Sequence, residues 1–418
     1  MLSCLSSNPM VRGLAALYAS TFFSGAWAMI IPTIPVLSQQ FEVSAGAAAQ
    51  IVTAFAIGKF VGTAIGGMIL DRMGTRVALV GGPLGAGIAS LSAAAAPWLS
   101  LILLFALIMG VADSLWATAR EISGIDLARR DQRGRVISSL HGTYSIGAAI
   151  GPFLGGWLTD LFSFRAAFVG YAVASAVSVF LGFASPDMPL APVSQKSPRL
   201  ANGWGLAAAQ QRLRGLVALF NEIHPELRST YLALCLATLA SQSQRIIVQS
   251  MLPLYAGAYL HLSSTEIGML FTISGVIIFA MIIPAGFVMD RVGRKWCTVP
   301  STGVPALVFV LIPMTSNFTQ LAVLVAFAGL AQGLALGSVA TSTYDVLPAH
   351  VRGRLQAARR TVAELGSGLA PLFGGYLANT FNPGVPFLVY APFLVVSATL
   401  LAVLGKETLE SDPRDSIA

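Results

Sequence analysis

The sequence predicts an all-α membrane protein of twelve transmembrane helices, arranged as two parallel repeats of six helices each. Hydrophobic residues make up 55% of the 418 residues and charged residues only 10%, which is too few charges to cover the surface of a soluble protein. Apolar runs of about 20 residues, long enough to cross a bilayer as helices, recur along the whole chain. A charged motif between two such runs occurs twice at a fixed offset, which predicts the repeat.

The repeated motif is a charged turn that carries two glycines. Its first copy has Gly67, Asp71, Arg72, Gly74 and Arg76, and its second copy has Gly286, Asp290, Arg291, Gly293 and Arg294. Asp71 and Asp290 are 219 positions apart (290 − 71). The same offset links Asp126 to Asp345, segment 133–135 to segment 352–354, and segment 152–156 to segment 371–375. Two homologous bundles, residues 1–185 and 229–418, are therefore predicted, with a linker at 186–228. Bundles with an even number of spans are parallel, and pairs of this kind hold a ligand between them.

The first bundle is predicted to contain six spans, at residues 13–37, 46–70, 77–98, 99–122, 136–158 and 164–184. Pro32 and Pro35 are expected to loosen the second half of span 1, because proline lacks the backbone donor that a helix needs. In span 2, Gly58, Gly62 and Gly66 recur every four residues. This spacing predicts that another helix approaches span 2 closely.

The second bundle is predicted to begin with span 7 at residues 229–260. Further spans follow at 265–289, 296–315 and 321–344, then a span 11 that starts after Arg354, and span 12 at 383–404. Between the bundles, four prolines open the polar segment 185–228. Within that segment, residues 204–220 are compatible with a short amphipathic helix on the membrane surface.

The basic residues indicate which side of the membrane the loops face. With the amino terminus inside, every Lys and Arg except Lys59, Arg165 and Arg245 lies in an inner loop or tail or near the inner end of a span. Such a bias sets orientation, so both termini and the linker are predicted to be cytoplasmic. The net charge of +7 then faces anionic lipid headgroups, and no nucleic-acid partner is expected. No cleavable signal is expected before span 1, so we predict a multi-pass protein of the plasma or inner membrane that works as a monomer.

No catalytic or metal-binding constellation is evident in the sequence. The four histidines have no partners at ligand spacing, and neither a Walker-type loop nor a G-x-S-x-G elbow occurs. Cys4, Cys235 and Cys297 lie far apart and are interpreted as small apolar residues. The sequence therefore predicts no enzyme, no catalytic residue, no metal site and no cofactor.

Four charged residues lie at membrane depth, where an unpaired charge is costly: Lys59, Asp113, Arg245 and Glu364. Asp113 is interpreted as a carboxyl without a charged partner, suited to proton coupling because desolvation favours its protonated form. The alternative is a fixed salt bridge to Lys59 or Arg120. Arg120 lies about two helical turns away, and we expect this to be too far for direct contact.

Glu364 is the second candidate for proton coupling, with Arg360 one turn away as its local partner. Lys59 and Arg245 are candidates for the substrate cavity, where each is suited to binding an anionic substrate group. Structural pairing across the bundle is the alternative for both of these cations.

The repeated turn resembles the signature loop of the major facilitator superfamily, G-x-L-a-D-r-x-G-r-k, between helices 2 and 3. Thr75 departs from that pattern, since it replaces a usual basic residue. Span 5 contains a second run of glycines, formed by Gly147, Gly151, Pro152, Gly155 and Gly156. This run resembles the G-x-x-x-G-P-x-x-G-G motif of the drug/proton antiporter branches of that family. Its small residues also predict, independently of the resemblance, a helix that kinks and packs closely.

The resemblance implies a conformational gate on the inner side. Asp71 is expected to cap the start of span 11, and Arg76 to meet Asp126 at the end of span 4, so that the halves are clamped in an outward-open state. The remaining gate residues are Gly67, Arg72 and Gly74, with Asp290, Arg291, Gly293, Arg294 and Asp345 in the second half. Drug-exporting members often have an arginine in span 4 where this chain has Ala106, so the proton-relay role of that arginine is not carried over.

These observations and the resemblance predict a secondary active transporter that works by alternating access. The span 5 motif favours proton-coupled export of small amphipathic compounds or drugs, with a small-molecule substrate, protons and the lipid bilayer as partners. Lys59 and Arg245 favour an alternative, an uptake symporter for an organic anion or metabolite. A non-transporting membrane receptor or scaffold is the alternative from another class, and the two intact turn motifs count against it.

Overall fold

A computed structural model describes residues 9–128, 133–184, 219–348 and 350–407. Within these ranges the regular structure is helical, and no strand is present. Twelve long helical segments run through the described residues, and nine of them are long and apolar enough to cross a membrane. The predicted class, an all-α membrane protein, is therefore confirmed. The twelve-span count stays a prediction for the three less apolar helices, at 133–161, 225–254 and 352–380.

The first six segments are labelled α1 to α6. Helix α1 consists of the α-helix Pro9–Gly25, the 3-10 segment Ala26–Thr33 and the α-helix Ile34–Gln40. It is followed by α2 (Ala45–Met73), α3 (Thr75–Ala95), α4 (Leu99–Leu127), α5 (Arg133–Leu161) and α6 (Phe164–Ala184). Pro32 lies inside the 3-10 segment and Pro35 at the start of the helix after it, where the two prolines were expected to loosen span 1.

The second six segments are labelled α7 to α12. Helix α7 (Pro225–Leu254) continues into the π-helical turn Tyr255–Tyr259. It is followed by α8 (Ser264–Arg291), α9 (Lys295–Leu311), α10 (Phe318–Val346), α11 (Arg352–Thr380) and α12 (Val385–Leu404). The predicted spans agree with these bounds to within a few residues. Most of the linker, with nearly all of the predicted amphipathic helix at 204–220, lies outside the described residues.

Serine caps begin both α2 and α8. Ser44 accepts a hydrogen bond from Ala47 N at the start of α2, and Ser263 forms a capping box with Glu266 at the start of α8. Ser44 and Ser263 are 219 positions apart, the offset of the repeat. The two equivalent helices therefore both begin with a serine N-cap.

Close helix contact in the first half depends on glycines. Gly58 and Gly62 of α2 lie against the backbone of Leu107 and Val111 of α4, and Gly110 of α4 lies against Phe55 of α2. A side chain at Gly58, Gly62 or Gly110 would overlap the facing helix. The four-residue spacing of glycines in span 2 thus brings α2 and α4 together at mid-length, which is where two of the charged residues lie.

Candidate functional site

The two halves meet along the helix pairs α2 with α11 and α5 with α8. At the start of α2, Gly46 N donates a hydrogen bond to Asn379 Oδ1 near the end of α11 (2.7 Å). Near the end of α5, Asp160 accepts hydrogen bonds from Ser264 N (3.1 Å), Thr265 N (2.7 Å) and Thr265 Oγ1 (2.6 Å) at the start of α8. We call this end of the molecule, where α2 and α8 begin, the closed end.

The glycine run of α5 contacts helices on two sides. Gly147, Gly151 and Gly155 lie against α1, and Gly156 and Pro152 lie against the first turns of α8 in the other half. A side chain at position 156 would overlap the backbone of α8 directly beside the Asp160 contact. The run therefore allows the two halves to come into backbone contact at the closed end.

At mid-length of α2 and α4 lies an ion pair between Lys59 and Asp113. Lys59 Nζ is 2.8 Å from Asp113 Oδ2, and Ser24 Oγ of α1 donates a hydrogen bond to Asp113 Oδ1 (2.8 Å). Each charged residue follows the first residue of its 29-residue helix by 14 positions, about 21 Å of helix from the closed end. The interpretation of Asp113 as a carboxyl without a charged partner is therefore wrong, and the alternative, a pair with Lys59, is the arrangement present.

The two partners of this pair differ in accessibility. The Asp113 side chain is 1% exposed, whereas the Lys59 side chain is 38% exposed. The Lys59 ammonium lies 5.7 Å from the centre of the Phe55 ring, and that ring stacks on Trp27 at a centroid distance of 4.2 Å. Trp27 Nε1 in turn donates a hydrogen bond to Tyr144 OH of α5 (2.9 Å). The accessible end of the pair is thus the ammonium, whereas the Phe55 and Trp27 rings next to it are buried in the core.

Helix α4 also carries a buried cation, Arg120, which the sequence analysis considered as a salt-bridge partner of Asp113. Its side chain is 4% exposed, its guanidinium lies 4.6 Å from the Trp116 ring, and Nη1 donates to Ser20 O (3.4 Å). Trp116 Nε1 donates to Ser20 Oγ (3.0 Å). Arg120 acts on Asp113 through its charge, without a direct ion pair, as the two-turn separation predicts. Asp113 and Arg120 are seven residues apart and therefore lie on one face of α4, so their spacing in the sequence already indicated that they are neighbours.

Arg245 and Glu364 belong to the second half. Arg245 of α7 is exposed. Glu364 of α11 is exposed as well. In the part of the chain that the structure describes, Glu364 forms no ion pair with Arg360, its expected local partner.

The predicted gate residues lie at the opposite end from the closed end. The side chains of Asp71 and Asp290 lie outside those that the structure describes. Gly74 and Gly293 have φ values of 86° and 133°, which a residue with a side chain rarely adopts, and each provides the turn between two helices. Arg72, Arg291 and Asp126 are exposed, Arg76 is half-buried, and Gly67 lies within α2. The Arg76–Asp126 contact stays a prediction.

In the second half, Arg294 at the start of α9 forms an ion pair with Asp345 near the end of α10. Glu407 accepts hydrogen bonds from Arg294 N (2.8 Å) and Lys295 N (3.1 Å), which places a carboxylate at the positive end of α9. Both contacts join residues of the same half. They hold together the ends of α9, α10 and α12 that lie opposite the closed end. The predicted gate residues Arg294 and Asp345 therefore contact each other within one bundle.

Comparisons with known proteins agree with this architecture. A family model described as Major Facilitator Superfamily matches residues 16–224 and 234–417. The multidrug resistance protein MdtG of Dickeya zeae (strain Ech586) is 26% identical over 400 residues, which cover 93% of each chain. The MdtG protein of Escherichia coli O6:K15:H31 (strain 536 / UPEC) is 24% identical over 412 residues, 95% of this chain and 96% of that one. The cis,cis-muconate transport protein of Acinetobacter baylyi (strain ATCC 33305 / BD413 / ADP1) is 23% identical over 288 residues, 68% of this chain and 67% of that one.

Solved structures share the fold at low sequence identity. The inward-open xylose transporter XylE of E. coli has a TM-score of 0.72 at 17% identity, covering 97% of this chain and 98% of that one. A POT family transporter has a TM-score of 0.74 at 12% identity, covering 94% and 96%. At these identities the likeness concerns the fold alone. Because the family model spans both halves and the helices match its architecture, the chain belongs to the Major Facilitator Superfamily and is a multi-pass membrane transporter, not an enzyme.

Proposed function

We propose that this transporter exports small amphipathic compounds in exchange for protons. The observation that carries the proposal is the Lys59–Asp113 ion pair, which lies at half the length of its helices. The relatives named multidrug resistance proteins support the export of drug-like compounds. The α5 glycine run, which resembles that of drug/proton antiporters, supports the same direction of transport.

In this proposal a proton competes with Lys59 for Asp113. When Asp113 is ionised, its carboxylate holds the ammonium of α2 against α4, and the surrounding protein strengthens the attraction. Protonation of Asp113 removes that attraction and releases Lys59. Losing one partner of a buried pair costs about 3 kcal/mol, or less here because Lys59 is partly exposed. A difference of that size shifts a two-state equilibrium on the order of 100-fold, which is enough to couple a proton to a change of state.

Alternating access follows from the two ends of the molecule. The hydrogen bonds of Asp160 and Asn379 join the halves at the closed end, and the predicted clamp of Asp71, Arg76 and Asp126 lies at the other end. Contacts at the two ends belong to opposite states, so one set breaks as the other forms. The positive-inside bias assigns the closed end to the outer face of the inner membrane and both termini to the cytoplasm. The moving units are residues 1–185 and 229–418 of a single copy.

The proposal is tested with the full-length protein in proteoliposomes that contain a pH-sensitive dye. A panel of amphipathic drugs is added without an imposed gradient, and proton movement is recorded with each compound. We expect Asp113→Asn to abolish substrate-driven proton movement while substrate counterflow persists. The control is Glu121→Gln, a carboxylate at an exposed position of the same helix, which should leave both signals unchanged.

Two results would overturn coupling through Asp113. The first is substrate movement by the wild-type protein without proton movement. The second is full proton coupling in Asp113→Asn. In the second case Glu364→Gln, which removes the other carboxyl candidate, shows whether coupling depends on the second half instead.

A second candidate function is uptake of an organic anion together with protons. The exposed ammonium of Lys59 favours it, and the relative named a cis,cis-muconate transport protein supports a carboxylate as the transported compound. The two candidates predict opposite directions of substrate flux along the same pH gradient. Measuring that direction in vesicles of known orientation therefore separates them.

A further inference from the structure

Aromatic side chains inside the first half connect the mid-length ion pair with helix α5. The Lys59 ammonium lies 5.7 Å from the centre of the Phe55 ring, which is one turn away on α2. Phe55 stacks on Trp27 of α1, with ring centroids 4.2 Å apart and an angle of 10° between the planes. Trp27 Nε1 donates a hydrogen bond to Tyr144 OH of α5 (2.9 Å). Three successive contacts therefore lead from the ammonium to the helix whose Asp160 bonds to the other half.

Trp27 lies where α1 and α5 are in backbone contact. It belongs to the 3-10 segment of α1, directly after Gly25 and Ala26. A side chain at Gly25 would overlap backbone atoms of Tyr144 and Ala148 of α5. Because no flexible side chains separate the two backbones here, a displacement of this part of α1 acts on α5 directly.

The two stacked rings are buried in the core of the first half. Close-packed interiors transmit a displacement instead of absorbing it, so one ring of the stack moves with the other. The indole N–H of Trp27 is the polar atom of this stack, and Tyr144 is its hydrogen-bond partner. A buried donor is costly when it loses its partner, which ties Tyr144 to any movement of Trp27.

The three aromatic residues accompany the ion pair and are not required by the fold. The equivalent positions of the second half, at the offset of 219 residues, are not aromatic: Ile246, Ser274 and Ala363. The positions equivalent to Lys59 and Asp113 carry no charge either. Both halves form the same bundle, and the half with the ion pair is the half with the aromatic connection.

We propose that Trp27 is a positioning residue, which transmits the protonation state of Asp113 to α5 and through α5 to the closed end. This role rests on the proposed function, in which protonation of Asp113 releases Lys59. The released ammonium leaves the face of the Phe55 ring, Trp27 follows through the stack, and Tyr144 follows through the hydrogen bond.

Helix α5 carries the movement from Tyr144 to the other half. Gly156, which lies in backbone contact with Ser264 of α8, follows Tyr144 by 12 positions (156 − 144). This spacing corresponds to about 18 Å of helix. Asp160 continues the same helix and bonds to the amides of Ser264 and Thr265. A movement of α5 at Tyr144 therefore reaches the contacts that hold the closed end together.

The test follows the closed end as the pH is lowered, with the purified full-length protein in detergent and without substrate. Spin labels at positions 162 and 262 report the ratio of open to closed molecules, because these positions follow α5 and precede α8. In the described residues, the charged and titratable groups around Asp113 are Lys59 of α2, Arg120 of α4 and Tyr171 of α6. The part of the pH response that is absent in Asp113→Asn is assigned to Asp113.

Two variants interrupt the connection without touching the ion pair. Trp27→Phe keeps a ring on Phe55 but removes the indole donor, and Tyr144→Phe removes the acceptor at a half-buried position. In each, the change of the open-to-closed ratio that is assigned to Asp113 should fall about fivefold, the factor of one hydrogen bond. A merely structural role would shift the ratio by the same factor at every pH. The Tyr144→Phe variant decides the test if Trp27→Phe does not fold.

A local signal and a matched control complete the experiment. The infrared band of a protonated carboxyl group that is missing in Asp113→Asn should still appear on acidification of Trp27→Phe and Tyr144→Phe, because Asp113 and Lys59 are intact. The control is Tyr390→Phe, at a half-buried tyrosine of α12 whose hydroxyl donates to Ala370 O (3.0 Å) in the half without the ion pair. It should keep the full pH response.

An undiminished pH response in either variant overturns the role of Trp27, and so does a shift of the ratio that is equal at every pH. A larger loss in Trp27→Phe/Tyr144→Phe than in either single variant also contradicts it, since one shared hydrogen bond can be lost only once. If the response requires Asp113 but neither Trp27 nor Tyr144, the proposed function stands and the role of Trp27 falls. If the response survives in Asp113→Asn or is absent from the wild-type protein, both fall.

Discussion

Asp160 and Asn379 occupy equivalent positions in the two halves, 219 residues apart, and each accepts hydrogen bonds from the first amides of a helix in the other half. Their partners, Thr265 and Gly46, are also 219 residues apart. The closed end therefore has two related contacts, one made by a carboxylate and one by a carboxamide. The Asp160 contact is the stronger of the two, because it has more hydrogen bonds and places a negative charge at a helix N-terminus.

Replacing Asp160 with Asn should weaken the closed end. The amide keeps one acceptor oxygen but loses the negative charge and the second acceptor. This loss should destabilise the closed end by about 1 kcal/mol, which raises the ratio of open to closed molecules about fivefold. With spin labels at positions 162 and 262, the distribution of distances between the two labels should shift to longer values when the closed end opens. Glu42→Gln, an exposed carboxylate at the same end, is the control. An unchanged distance distribution in Asp160→Asn would show that this contact does not determine the state.

Gly156→Ala should also open the closed end, for a steric reason. The added methyl group overlaps the backbone of Ser264, and overpacking of this kind costs about 1–3 kcal/mol. Gly142→Ala on the same helix is the matched control, because its methyl group meets no neighbour within 4 Å. Cysteine accessibility at the start of α8 is the measurement. Equal accessibility in the two variants would contradict the assigned backbone contact.

Ser24→Ala should destabilise the protein through Asp113. The substitution removes a hydrogen bond to a buried carboxylate, which is worth about 1.5–3 kcal/mol. The loss should lower the temperature at which the purified protein exposes its thiols to a fluorogenic reagent. Ser178→Ala is the control, since Ser178 is buried but bonds only to a carbonyl of its own helix. A larger effect in Ser178→Ala than in Ser24→Ala would rule out the special role of the Asp113 contact.

Asp71→Asn should slow transport without loss of folding. The resemblance to the family implies that this carboxylate caps the start of α11 in the conformation in which the closed end is open. Removing such a cap should destabilise that conformation by about 1 kcal/mol. Asp290→Asn, the equivalent change in the second half, is expected to have the smaller effect. Turnover in proteoliposomes, normalised to folded protein, is the measurement. Wild-type turnover in Asp71→Asn would show that the predicted clamp has no function in this chain.

The orientation is tested with single cysteines in a background without the three native ones. A membrane-impermeant thiol reagent applied to intact cells should label Phe162→Cys and leave Arg199→Cys unlabelled, because the distribution of basic residues predicts a cytoplasmic linker. Permeabilised cells should show labelling of both. Labelling of position 199 alone in intact cells would reverse the assigned sides.

The helices were predictable because their signals are local. Apolar length defines each span, and Pro32 explains the 3-10 segment of α1. The charged residues of the candidate site were also identifiable, since Lys59 and Asp113 interrupt apolar runs.

A pair of Lys59 with Asp113 was one of the two alternatives in the sequence, and the surroundings of either residue in the chain did not decide between them. The pairing depends on how closely α2 approaches α4, and that distance is determined by Gly58 and Gly110 on facing helices. The Asp160–Thr265 contact was missed for a similar reason. A carboxylate near a helix end has many potential partners, and only the packed arrangement of the two halves selects one.

The mid-length ion pair distinguishes the two halves of the chain. The positions equivalent to Lys59, Asp113 and Arg120 in the second half are Ile278, Gln332 and Val339, none of which carries a charge. The position of Ser24, in contrast, also carries a serine in the second half, Ser243. The charges of the mid-length ion pair therefore occur in one half of the chain, and the equivalent positions of the other half are uncharged.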